Sequence, residues 1–110
     1  MEKDRRSAPR ARVKLPARWE GVHSRESATV TDLSRSGCFV LSGGKIEVKE
    51  LVSLEIQITD DQKLHFWAEV VNEAPEIGFA LKFNSSSPED EAALAKFLEG
   101  IFKSQGQTTS

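Results

Sequence analysis

Between residues 13 and 83, apolar side chains recur at every second position in one short run after another, with turn-forming residues between the runs. Val13, Leu15, Ala17 and Trp19 alternate with Lys14, Pro16, Arg18 and Glu20, and Val52, Leu54, Ile56 and Ile58 alternate with Ser53, Glu55, Gln57 and Thr59. After Asp60-Asp61-Gln62 the pattern resumes in Leu64, Phe66, Ala68 and Val70, and after Ala74-Pro75-Glu76 in Ile77, Phe79, Leu81 and Phe83. A strand sends successive side chains to opposite faces, so each run predicts a strand with one buried and one solvated side. Residues 28–33 and 38–41, on either side of Ser34-Arg35-Ser36-Gly37, add two shorter strands, and Ser42-Gly43-Gly44 marks a further turn. Six such strands with short connections predict a mostly β fold, a six-stranded antiparallel barrel.

The period changes near the C-terminus. Ser87 suits a helix N-cap, Pro88 the first helical position, and Glu89, Asp90 and Glu91 the positive end of the helix dipole. Leu94, Phe97, Leu98, Ile101 and Phe102 then follow a 3.6-residue period, which predicts one C-terminal α-helix whose apolar stripe closes over the sheet. Residues 105–110 read as a disordered tail, residues 13–104 as the barrel plus helix, and residues 1–12 as a flexible arginine-rich lead-in.

No unbroken apolar run exceeds four residues, whereas a bilayer span needs ~20, and the charged N-terminus is followed by no apolar stretch. With one cysteine and two histidines there is neither an internal disulfide nor the ligand set of an ordinary structural zinc site. These features predict a cytoplasmic protein without membrane insertion, metal or cofactor. Catalytic templates are equally absent. Gly43-Gly44-Lys45 lacks the rest of a phosphate-binding loop, Asp60-Asp61 sit at a loop tip, and no serine lies in a nucleophile-elbow context. The chain does not read as an enzyme.

The formal net charge of −2 conceals a polarity. All seven arginines fall within the first 35 residues, which carry a net +4, and the remaining 75 residues carry −6. Arginine presents a flat, permanently charged fork suited to phosphates and flat rings, so this end has the chemistry to handle an anion; a solvated basic tail is the plainer reading. The acidic remainder argues against broad nucleic-acid binding. Two patterns stand out. Arg5 and Arg6 are followed by Arg10, with Pro9 disfavouring a helix between them. Asp32-Leu33-Ser34-Arg35-Ser36-Gly37 then puts Asp32 and Ser34 two residues apart on one strand face, with Gly37 permitting a positive φ or a close backbone approach to a ligand. Taken alone, this second pattern is equally a turn in which Asp32 or Ser34 bonds local backbone.

An arginine strip, one strand, and Asp-x-Ser-x-x-Gly at the end of the next strand resemble the PilZ domain, a family of bacterial receptors for cyclic di-GMP built on a six-stranded barrel. The resemblance runs from Arg5 to about Phe102 and includes Glu69-Val70-Val71, the strand through Gly78 and Phe79, and the closing helix. It implies a ligand site made by Arg6, Arg10, Asp32, Ser34 and Gly37, with Arg5 resembling members that take up two stacked ligand molecules. It also implies ordering of the arginine segment on binding and signalling to a separate protein effector. Two alternatives remain at this level: a nucleic-acid-binding small barrel that stacks bases on Trp19, Trp67 and Phe66, and a PilZ-like module that binds only protein.

Overall fold

The computed structural model describes residues 9–104. Six strands, β1 (Ala11–Glu20), β2 (Arg25–Leu33), β3 (Gly37–Leu41), β4 (Leu51–Thr59), β5 (Gln62–Ala74) and β6 (Gly78–Ser85), are followed by a helix, α1 (Pro88–Ser104). The strands close into a barrel in the order β1-β2-β3-β6-β5-β4, every pairing antiparallel. This is the mostly β, helix-closed barrel that the alternation predicts.

The pattern is read out most faithfully in β4 and β5. Val52, Leu54, Ile56 and Ile58 face inward opposite Leu64, Phe66, Ala68 and Val70, and all eight are buried. Phe66 stacks on Phe83 with ring centroids 4.1 Å apart. Trp19 fills the other end of the core. Its ring meets Phe79 edge-on at 5.2 Å, and its indole N–H donates to Ser42 Oγ at 2.9 Å, so the buried polar tip keeps a partner.

Several boundaries differ from the sequence reading, among them that of β2, which begins at Arg25 and not at residue 28. β1 begins at Ala11, two residues before Val13, because Ala11 pairs with Leu33 and is itself buried, so Ala11 and Arg12 belong to the barrel and not to the lead-in. Ile77 does not share the inward face of Phe79 and Leu81. It is 58% exposed in a turn, where its own N–H donates to the Ala74 carbonyl and the preceding Glu76 adopts φ 69°. The strand proper starts at Gly78, where a Cβ would overlap the Val40 carbonyl oxygen.

The helix forms where its signals lie. Ser87 Oγ accepts the Asp90 N–H at 3.1 Å and the Ser87 carbonyl accepts the Glu91 N–H at 3.0 Å. Leu94 and Leu98 are buried, with Phe97, Ile101 and Phe102 packed at the core margin. The Asp90 carboxylate also accepts the His65 N–H of β5 at 3.0 Å, which ties the first turn of the helix to the sheet. No helix among the described residues is long and apolar enough to cross a membrane. The expected lead-in before Pro9 and the expected tail from residue 105 lie outside the described residues.

Candidate functional site

At the rim nearer α1, the start of β1, the end of β2 and the start of β3 meet. Ala11, Leu33 and Cys38 turn into the core, so the residues beside them in each strand face outward. Arg12 is the register partner of Asp32 across β1–β2, and Phe39 is its partner across β2–β3. Arg10, one residue before β1, reaches the same carboxylate, with Arg10 Nη1 3.3 Å from Asp32 Oδ2. Two of the residues singled out from the sequence, 22 positions apart in the chain, are therefore brought together. Their side chains are 66% and 35% exposed and share one long contact, the kind of pair worth only ~0–1 kcal/mol in water. An incoming anion with a donor edge could replace it at little cost.

Ser34 plays a different part. It is 4% exposed, and its Oγ accepts the N–H groups of Ser36 at 3.1 Å and Gly37 at 3.2 Å. The Ser34 N–H donates to the Gly37 carbonyl at 2.9 Å, which closes the turn. This is a serine turn that fixes the chain directly after Asp32 and so holds the carboxylate in place. Gly37 has no positive φ; its need is for space, because a Cβ there would overlap the Leu81 carbonyl oxygen of β6. Glycine here permits close strand approach at the site's edge. Arg5 and Arg6 lie outside the described residues.

Arg35, at the tip of the turn, is exposed and lines a groove of about 560 Å³ that runs between Pro9 and the Leu98–Phe102 stretch of α1. The groove thus reaches Pro9, the residue before Arg10. Of the three rings offered for stacking nucleic acid, Trp19 and Phe66 are spent in the core and Trp67 alone is exposed, at 49%. Its position opposite the inward Phe66 and Ala68 is already implied by the period of two. Arg12 and Phe39, which flank Asp32, do not feature among the sequence candidates. Alternation sets Phe39 opposite Cys38 and Val40, but only the cross-strand register brings it to Asp32. Among the described residues no group of three or more His, Cys, Asp or Glu side chains could hold a metal ion.

Cys38 lies directly behind the site. Burial pushes its thiol from an ordinary 9.0 up to about 12; the Asp32 carboxylate adds to the rise and the Arg10 guanidinium opposes it. The thiolate is the reactive form, so native Cys38 is expected to resist a thiol reagent at pH 8 and to react promptly in denaturant. An unfolded chain releases this proton near 9.0 and the folded one only near 12, so the thiol's contribution to stability is whole below pH 9 and declines through that window. Rapid labelling of the native protein at pH 8 would contradict the burial.

The PilZ domain family profile matches residues 4–100 of this chain. No curated protein matches it by sequence. Among solved structures, the Bacillus subtilis inhibitor of motility (MotI/DgrA) superposes with a TM-score of 0.71 at 18% identity, covering 96% of this chain and 53% of that one. This chain thus spans about half the length of that protein. The PilZ domain of CeSA from a cellulose-synthesizing bacterium superposes with a TM-score of 0.65 at 15% identity, covering 84% of this chain and 97% of the domain. At such identities the two structures speak for the barrel and its helix, and the profile, which takes in nearly the whole chain, speaks for descent. A closed barrel with a rim carboxylate on a serine turn, an arginine strip before its first strand, and a family match over residues 4–100 together place the chain in the PilZ domain family.

Proposed function

We propose that the protein is a cytoplasmic receptor for cyclic di-GMP, which closes its N-terminal arginines over the Asp32 rim and passes the change to a protein partner. The observation that carries this reading is the Arg10–Asp32 pair, a guanidinium and a carboxylate held 3.3 Å apart at an open rim. Cyclic di-GMP has two phosphates and two guanines. An arginine fork can meet the guanine O6/N7 edge bidentately for ~1–3 kcal/mol of discrimination, while a carboxylate accepts from the opposite donor edge. Arg6 is four residues before Arg10, and four residues span at most about 14 Å, enough to bring a second fork across the ligand. Ser34 and Gly37 serve the site by shaping the turn beside Asp32. Membership of the PilZ domain family supports the ligand reading, and the same barrel occurs in an inhibitor of motility and in a domain of CeSA, so the fold favours no one output.

Calorimetry tests the proposal. Ordering a terminal segment costs ~2–5 kcal/mol against several charge-assisted contacts, and a net near −8 kcal/mol corresponds to a Kd of ~1 μM. Arg6→Ala, Arg10→Ala and Asp32→Ala are each expected to weaken binding by about tenfold or more, since one charge-assisted contact is worth that much. Arg5→Ala is expected to lower the stoichiometry from two ligands towards one. A loss below about twofold in the first three variants would sink the assignment.

A further inference from the structure

The outer wall beside the rim carries a row that the local sequence pattern does not reveal. Arg12, Asp32, Phe39 and Ala80 are successive register partners across β1, β2, β3 and β6. Cys38 and Val40, on either side of Phe39, are 4% and 0% exposed, which sends the Phe39 side chain outward. It is half-buried and is not among the residues packed against the core. Its immediate neighbours on β3 and β6 are small, with Lys82 diagonal to it. The partner on β6 is Ala80, and Gly37, two residues earlier on the same face of β3, has no side chain at all. Directly opposite positions on one face of a sheet have Cβ atoms only ~4.5–5.5 Å apart, so Asp32 and Phe39 are side-by-side neighbours on this wall. An outward phenyl with small neighbours on one side and a carboxylate on the other is a shelf for a flat, polar-edged ring.

We infer that Phe39 is the stacking platform for one guanine of the ligand, with Asp32 reading the donor edge of that same base; the inference rests on the cyclic di-GMP reading above. A purine lying on the ring keeps its face dry and turns its N1–H and exocyclic amine towards the carboxylate, while its O6/N7 edge remains open to an arginine. Phe39 thus supplies affinity that does not depend on which purine is bound, and Asp32 supplies the preference for guanine. The arrangement also accounts for an aromatic residue in an outward strand position that the core does not use.

The test is a cyclic di-GMP titration of four full-length proteins: wild type, Phe39→Ala, Phe39→Leu and Phe39→Trp. Loss of one base–aromatic stack should weaken Phe39→Ala and Phe39→Leu by about tenfold while both variants still fold cooperatively, because the ring is outside the core. Phe39→Trp should bind like the wild type, and its added fluorescence should be quenched at saturating ligand, beyond any change from Trp19 and Trp67 in the wild type. If the wild type binds but Phe39→Ala stays within about twofold, or Phe39→Trp shows no added quenching, the platform is disproved while the roles of Arg10 and Asp32 stand. If the wild type itself does not bind, the receptor reading fails, and the platform with it.

Discussion

Gly37→Ala is expected to destabilise the ligand-free protein by about 1–3 kcal/mol, the usual cost of forcing atoms into filled space. The added methyl has nowhere to go: its Cβ would overlap the Leu81 carbonyl oxygen and come within 3.3 Å of Lys82 Cα, both of them backbone atoms. Backbone cannot rotate aside as a flexible side chain can, so β3 and β6 would have to part at the pairing of Gly37 with Lys82. In a domain of this length each kcal/mol moves the melting temperature by roughly 4–8 °C, so a shift of the order of 10 °C should be visible by circular dichroism. Gly43→Ala is the control. Nothing lies within 4 Å of its Cβ position, and its midpoint should move by less than the equivalent of about 0.5 kcal/mol. A Gly37→Ala protein as stable as wild type, with weakened ligand binding, would instead return this glycine to a direct role at the ligand.

A still larger loss is expected for Trp19→Ala. The indole is 1% exposed, sits edge-on to Phe79 and donates its N–H to Ser42 Oγ. Truncation of a buried aromatic to alanine typically costs ~3–5 kcal/mol. Against a whole-domain stability of ~5–15 kcal/mol, that leaves the barrel marginal or unfolded at 37 °C. Trp19→Phe keeps an aromatic ring but loses the N–H donor and part of the buried volume, and should cost less, about 1–3 kcal/mol from the hydrogen bond and the smaller cavity. Urea unfolding of the two variants gives the comparison. Equal losses would mean that the Trp19–Ser42 bond, and not the filling of that end of the core, holds the strands together.

Most of the barrel was legible because inward and outward positions differ in hydropathy and the difference has a period. Val52 to Ile58 and Leu64 to Val70 illustrate this, since each buried residue is apolar and each outward neighbour can live in water. The helix was legible for local reasons as well: Ser87, Pro88 and the three acids after it act within one turn. Ile77 misled because an apolar residue in a turn happened to continue the period of the next strand, and the left-handed backbone at Glu76 leaves no hydropathic trace. The site was half legible. Asp32, Ser34 and Gly37 could be found in sequence, but the pattern did not separate a carboxylate at the open rim from a hydroxyl holding a turn. That distinction lies in two hydrogen bonds from the N–H groups of Ser36 and Gly37. Phe39 and Arg12 were out of reach for another reason: they flank Asp32 only through strand register, and both registers contain a one-residue irregularity that shifts who meets whom.

Ring closure through β1 and β4, where Ala17 to Glu20 run beside Ser53 to Ile56, has a consequence for solubility. Strands with clean alternation, such as β4 and β5, are the kind that template cross-β stacking when a flank is left open. Joining first strand to fourth leaves no strand bare along its whole length, so the pattern that built the fold is kept from recruiting other chains. Were that seam to gape, fibril growth, and not mere loss of the fold, would be the hazard.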